Sequence, residues 1–129
     1  METKLGIHVA YNVNYHFVFC TKRRKPILVQ NIAFDCANII RKVAEEINIK
    51  IEALEIMPDH VHVFVSSSPV ISPGKIVKKF KGKTSNILRI KYPQLLRIPA
   101  LWSSSYYVGT IGHVSESVVK LYIENQKGK

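Results

Sequence analysis

The strongest constraint on this chain is the order in which its hydrophobic period changes. In residues 11 to 20, YNVNYHFVFC, the side chains of Val13, Tyr15, Phe17 and Phe19 alternate with Asn12, Asn14 and His16. That is the period of two expected of a strand with one apolar face. After Pro26 the period lengthens, and Ile32, Cys36, Ile39, Ile40, Val43 and Ile47 recur at helical spacing with Asp35, Arg41, Lys42, Glu45 and Glu46 between them. IKIEALEIM and HVHVFVSS return to strand character on either side of Pro58-Asp59, a polar break suited to a hairpin turn. Ser72-Pro73 begins a second helix, with a capping hydroxyl and a proline in the first turn, and Ile76, Val77, Phe80, Ile87 and Leu88 supply its apolar stripe. Gly82 is a point where that helix could be interrupted. A last strand falls within LWSSSYYVGT, Gly109 and Gly112 bracket a flexible joint, and SESVVKLYIENQ forms a final short helix.

The order β-α-β-β-α-β predicts an α+β, ferredoxin-like split-βαβ sandwich. In it an antiparallel sheet has strands one and three side by side at its centre, two helices cover one face, and an extra C-terminal helix carries Tyr122. A chain of 129 residues, 47% of them apolar, suits a single domain over residues 1–129 with one core. No apolar run is long enough to cross a bilayer, and METKLGIHVAYN lacks the basic-then-apolar pattern of a secretory signal. A cytoplasmic protein without a membrane partner is expected. Cys20 and Cys36 are too far apart for a C-x-x-C site and are expected to be reduced packing residues.

The charge points to a polyanion. Nineteen basic residues against nine acidic ones leave a net charge of +10, and no acidic residue occurs between Asp59 and Glu116. That interval holds Lys75, Lys78, Lys79, Lys81, Lys83, Arg89, Lys91 and Arg97, while Lys22, Arg23, Arg24 and Lys25 follow the first strand. Nucleic acid is the commonest partner of such clusters. The lysines of the second helix and the KRRK segment are the candidate DNA contacts. A merely solvated basic face is the plain alternative.

Residues two apart in a strand share a face, so His60 and His62 project together while Val61, Val63 and Val65 point under the helices. At about 3.3 Å of rise per residue, two such imidazoles can converge on one small ion. Tyr122 and Gln126 are spaced i and i+4, so on one helix face Gln126 could offer a carbonyl oxygen to the same ion with Tyr122 one turn away. Taken alone, an H-x-H pair is often structural, and Tyr122 equally suits a packing tyrosine beside Val118 and Val119. Asn12, Asn14 and His16 share the polar side of strand one and could border the histidines, and Asp59 could bond near them or simply serve the turn. His8 and His113 are isolated.

PDHVHVFV, the late Y-x-x-x-Q helix and the strand continuation FVFCTKRRKPIL together resemble the single-tyrosine HUH transposases of small insertion sequences, the TnpA type. The resemblance covers nearly the whole chain. It implies that His60 and His62 are metal ligands, that Gln126 completes the site and that Tyr122 attacks single-stranded DNA to give a 5′-phosphotyrosine. It also implies DNA with folded hairpin ends as substrate, and a homodimer in which the tyrosine helix of one subunit completes the metal site of the other. The cofactor expected is a divalent metal, Mg2+ or Mn2+. Two rival readings remain: a non-enzymatic ferredoxin-like nucleic-acid-binding module using its open sheet face, with Phe64 as its one clear stacking residue, and a metal-dependent phosphoesterase that uses water and has no need of Tyr122.

Overall fold

The computed structural model describes residues 13–110, 116–126 and 128–129, with side chains from residue 120 onward in the last helix. His8, Asn12, His113 and Gly112 of the expected joint lie outside the described residues, as do the side chains of Val118 and Val119. The elements are β1 (Val13–Cys20), α1 (Gln30–Glu46), β2 (Lys50–Met57), β3 (His60–Ser67), α2 (Pro73–Lys91), β4 (Tyr107–Thr110) and α3 (Glu116–Glu124), with short 3-10 turns at Lys22–Arg24 and Pro93–Arg97. This is the expected α+β order. The sheet runs β2-β3-β1-β4 with every neighbouring pair antiparallel, so β1 and β3 are the central strands.

Burial explains the register. Val61, Val63 and Val65 of β3 and Phe17 and Phe19 of β1 form one core with Cys36, Ile40 and Val43 of α1 and Ile76, Val77, Phe80 and Leu88 of α2. Each large side chain fully removed from water contributes about 1.5 to 3 kcal/mol. A slip of one residue would turn the valines out and drive His60 and His62 into that core, so the valines dictate where the histidines point.

Three local features arise from single residues. Ser72 caps α2, its hydroxyl accepting from the Lys75 amide at 3.2 Å with Pro73 at the first helical position. Gly82 does not interrupt that helix: α2 continues to Lys91, since buried residues on both sides of the glycine, Phe80 and Thr84 among them, hold it in place. Asn48, at φ 58, closes α1 in the left-handed region that asparagine tolerates.

The segment after α2 returns to the sheet. Trp102 forms a bridge with Thr21, and the Ser103 amide donates to the Cys20 carbonyl at 2.9 Å, so residues 101 to 105 run along the end of β1 before β4 begins. Both cysteines are free and buried, as expected of packing residues, and burial first of all pushes the Cys20 thiol up to about 11 and the Cys36 thiol up to about 12. Among the described residues, no helix is long and apolar enough to cross a membrane.

Candidate active site

His60 and His62 share one sheet face, opposite the valines, with ring centroids 4.9 Å apart. Their neighbours across β1 are Cys20 and Val18 in register. Those two residues lie on the histidine face yet are fully buried. The face is therefore not open along its whole length, as the sequence suggested. Its end is closed by the 101–105 segment and the turn that follows α3.

Each imidazole is held through Nδ1. His60 Nδ1 lies 2.8 Å from Asp59 Oδ1, and His62 Nδ1 lies 3.2 Å from His16 Nε2, with the His16 and His62 rings stacked at 5.4 Å. A proton on Nδ1 of each ring leaves both Nε2 lone pairs free, which is the arrangement metal-binding histidines adopt. Burial, then the neighbouring His60 and His16, push the His62 imidazole down to about 4. It stays neutral and keeps its lone pair at ordinary pH. Burial also lowers His16. Among the described residues no three His, Cys, Asp or Glu side chains group to hold an ion. The donor chemistry of the pair, two neutral imidazole nitrogens, fits a divalent ion.

The sequence offers Gln126 as a further ligand. The helix ends at Glu124, and the Gln126 amide donates to the Ile123 carbonyl at 3.1 Å, so Gln126 lies in a tight turn just beyond the helix, on the side of Ser105 as Tyr122 does. The side chain is 4% exposed, and its Oε1 accepts from Ser103 Oγ at 2.9 Å and Ser105 Oγ at 3.1 Å. Both lone pairs of that carbonyl are thus used. Gln126 cannot hold an ion in this arrangement until a serine lets go.

Tyr122 is bound to the same serine, its hydroxyl 2.9 Å from Ser105 Oγ. A serine hydroxyl has one proton, and donating it to Gln126 leaves Ser105 to accept from the phenol. Burial raises the Tyr122 phenol above its usual range, with the Ser105 bond opposing. The Tyr122 ring is 6.1 Å from Tyr107, whose ring is 6.3 Å from His16. Tyr107 therefore neighbours both the Tyr122 ring and His16. Nothing in the sequence marks Ser103, Ser105 or Tyr107, because a serine run before two tyrosines has no distinctive spacing.

The basic residues divide into two groups. Arg23, Lys25, Lys75, Lys78, Lys79 and Lys83 are exposed and Lys22 is partly so. Arg24 and Lys81 have internal partners instead. Arg24 pairs with Asp59 at 2.9 Å, and Lys81 Nζ donates to the Ser103 and Ser105 carbonyls at 2.7 and 3.2 Å, with burial holding the amine below the usual lysine range.

Residues 9–126 match the protein family described as IS200-like transposases. The chain is 33% identical to the ISDra2 transposase TnpA of Deinococcus radiodurans, over 100% of this chain and 94% of that protein. It is 30% identical to the transposase of insertion sequence element IS200 from Salmonella typhimurium, over 97% of this chain and 84% of that one. A crystal structure of a transposase from D. radiodurans R1 superposes with a TM-score of 0.90 at 31% identity, covering 98% of this chain and all of that one. A REP-associated tyrosine transposase bound to a REP hairpin shares the fold, with a TM-score of 0.57 at 13% identity over 91% of this chain and 67% of that one.

Proposed function

Because this chain belongs to the IS200-like transposase family and is a DNA transposase, we propose that it cuts and rejoins single-stranded DNA with Tyr122 as nucleophile and a divalent metal at His60 and His62. The observation that carries this reading is the meeting of the Tyr122 hydroxyl, Gln126 and the histidine face in one corner of the fold, through Ser105 and Tyr107. A water-using phosphoesterase would keep the histidines but has no use for a tyrosine held there. A passive binding module needs neither.

The phenol oxygen forms a bond to phosphorus as the bond from phosphorus to the 3′ oxygen breaks. The phenol proton leaves to solvent, and the departing oxygen ends as a 3′-hydroxyl. The 5′ phosphate stays on Tyr122, so the bond energy is retained and a second 3′-hydroxyl can reverse the step without ATP. His60 and His62 would hold magnesium or manganese through Nε2, joined by Gln126 once Ser103 or Ser105 releases its carbonyl. The bound ion supplies Lewis-acid polarisation of the scissile phosphate and helps orient it. Exposed Arg23, Lys25, Lys75, Lys78, Lys79 and Lys83, with Lys22, hold the phosphate backbone.

The substrate is single-stranded DNA with hairpin ends, and the working form is a homodimer able to exchange the tyrosine helix. Within the single chain, the Tyr122 ring lies against Tyr107 and that ring against His16, which is compatible with either assembly. The test is a denaturing gel: protein with Mn2+ and single-stranded hairpin-bearing oligonucleotides should yield a covalent adduct that Tyr122→Phe abolishes while DNA binding persists. An adduct formed by Tyr122→Phe would overturn the assignment.

A further inference from the structure

Arg24 sits in the KRRK run, but its backbone sets it apart from a surface arginine. Arg23 and Arg24 both have left-handed φ, 56° and 55°, a conformation that non-glycine residues adopt only when their surroundings enforce it. The enforcement is visible. The Arg24 amide donates to the Thr21 carbonyl at 2.9 Å, the Thr21 amide donates to the Asp59 carbonyl at 3.0 Å, and the Thr21 hydroxyl donates to the Lys25 carbonyl at 2.7 Å. The loop is thereby tied to the β2-β3 turn and aims the guanidinium inward.

All three guanidinium nitrogens are engaged. Nε and Nη2 lie 3.0 and 2.9 Å from Asp59 Oδ2, while the other carboxylate oxygen, Oδ1, bonds His60 Nδ1 at 2.8 Å. Nη1 donates to the Ile123 carbonyl at 3.4 Å and lies 3.9 Å from the Glu124 carboxylate, at the end of α3 next to Tyr122. A planar fork can face a carboxylate and a helix terminus at once, whereas a lysine ammonium on a flexible stem cannot fix that geometry.

We propose that Arg24 is a positioning residue that ties the orientation of the His60 imidazole, through Asp59, to the docking of the α3 terminus that carries Tyr122. The tyrosine helix and the histidine face are then set together: loss of Arg24 loosens both. This rests on the proposed roles of His60 and Tyr122, but its consequences for the ring and the helix end can be measured without DNA or metal.

The experiment uses the whole chain as wild type, Arg24→Ala, Arg24→Lys and Asp59→Ala, with a thermal melt showing which variants fold. Imidazole 15N shifts at a pH where the rings are neutral report the His60 tautomer. Expected are a single Nδ1-protonated form in the wild type and a mixture in both Arg24 variants and in Asp59→Ala. Amide exchange at Asn125 and Gln126 should accelerate about three- to tenfold in the Arg24 variants, the range expected for one lost hydrogen bond. Mn2+ affinity should fall about 10- to 100-fold, as for other partners of ligating histidines, and the Arg24→Ala/Asp59→Ala double variant should be no weaker than Asp59→Ala alone. The salt dependence of single-stranded DNA binding should not change, whereas a phosphate contact would lower the slope by about 0.7. An unchanged tautomer and unchanged exchange in a folded Arg24 variant overturn the proposal, as does a fall in slope. If the wild type binds no Mn2+ while tautomer and exchange respond as expected, the metal assignment fails and the positioning role of Arg24 stands.

Discussion

Ser105→Ala isolates what holds Tyr122 and Gln126 in place. The Ser105 hydroxyl makes two bonds to the α3 region, 2.9 Å to the Tyr122 hydroxyl and 3.1 Å to Gln126 Oε1. Ser103 continues to hold Gln126 at 2.9 Å in the variant. Ser105 is exposed, so water competes for both partners, and each bond belongs near the lower end of the ordinary range, about 0.5 kcal/mol. Together they amount to about 1 kcal/mol, a roughly fivefold shift in the balance between docked and undocked forms of the helix end. The assay is amide exchange followed by NMR, read at Asn125 and Gln126, whose amides bond the Leu121 and Ile123 carbonyls at 3.0 and 3.1 Å. Exchange at both should rise about fivefold, and Ser104→Ala, one residue away on the same exposed stretch, should leave it unchanged. Equal rates in Ser105→Ala and wild type, or an equal rise in Ser104→Ala, would refute the view that this hydroxyl holds the two residues.

Neutralising Lys78, Lys79 and Lys83 together should lower the salt slope of single-stranded DNA binding by about 2, from about 0.7 per phosphate contact; an unchanged slope would show that these exposed lysines do not touch the backbone. Thr84→Val removes the oxygen that accepts from Trp102 Nε1 at 2.8 Å in a buried setting and should cost about 1 to 3 kcal/mol in denaturant unfolding, since the indole N–H is left unpaired. Asp35 bonds Lys91 at 2.8 Å and Tyr92 at 2.5 Å, and those bonds, led by the one to Lys91, hold its carboxyl below the ordinary 3.8. The stability it adds is present above that ordinary value and is lost as pH falls through the lower folded value, so Asp35→Asn should flatten the acid side of the pH–Tm curve and leave the region around neutrality unchanged, with a second change only on the alkaline side where Lys91 and Tyr92, both raised by Asp35, titrate. Mixing Tyr122→Phe with His60→Ala/His62→Ala protein under subunit exchange should restore adduct formation if sites are shared between subunits; none from proven mixed dimers would place each site within one chain.

Periodicity and charge are properties of neighbours along the chain, and what depends on them alone was determined by the sequence. The alternation of β3 set Val61, Val63 and Val65 inward and His60 and His62 together on the other face, because a strand has no other way to bury three valines. Ser72-Pro73 likewise announced the start of α2 through a bond only three residues long. The tertiary structure alone decided which residues meet across the fold. His16 reaches His62 across 46 positions, Arg24 reaches Asp59 across 35, and Ser103 reaches Gln126 across 23. In the run KRRK nothing local separates Arg24 from Lys25. It was a left-handed backbone, pinned to the β2-β3 turn, that sent one guanidinium to a carboxylate and left the other cation in solvent. Gln126 makes the same point: its spacing from Tyr122 put the two on one side, but could not supply the partners of its carbonyl oxygen. The chain left the helix at Glu124, and two serines from a distant segment took up the glutamine oxygen, because a buried carbonyl must find donors wherever packing brings them.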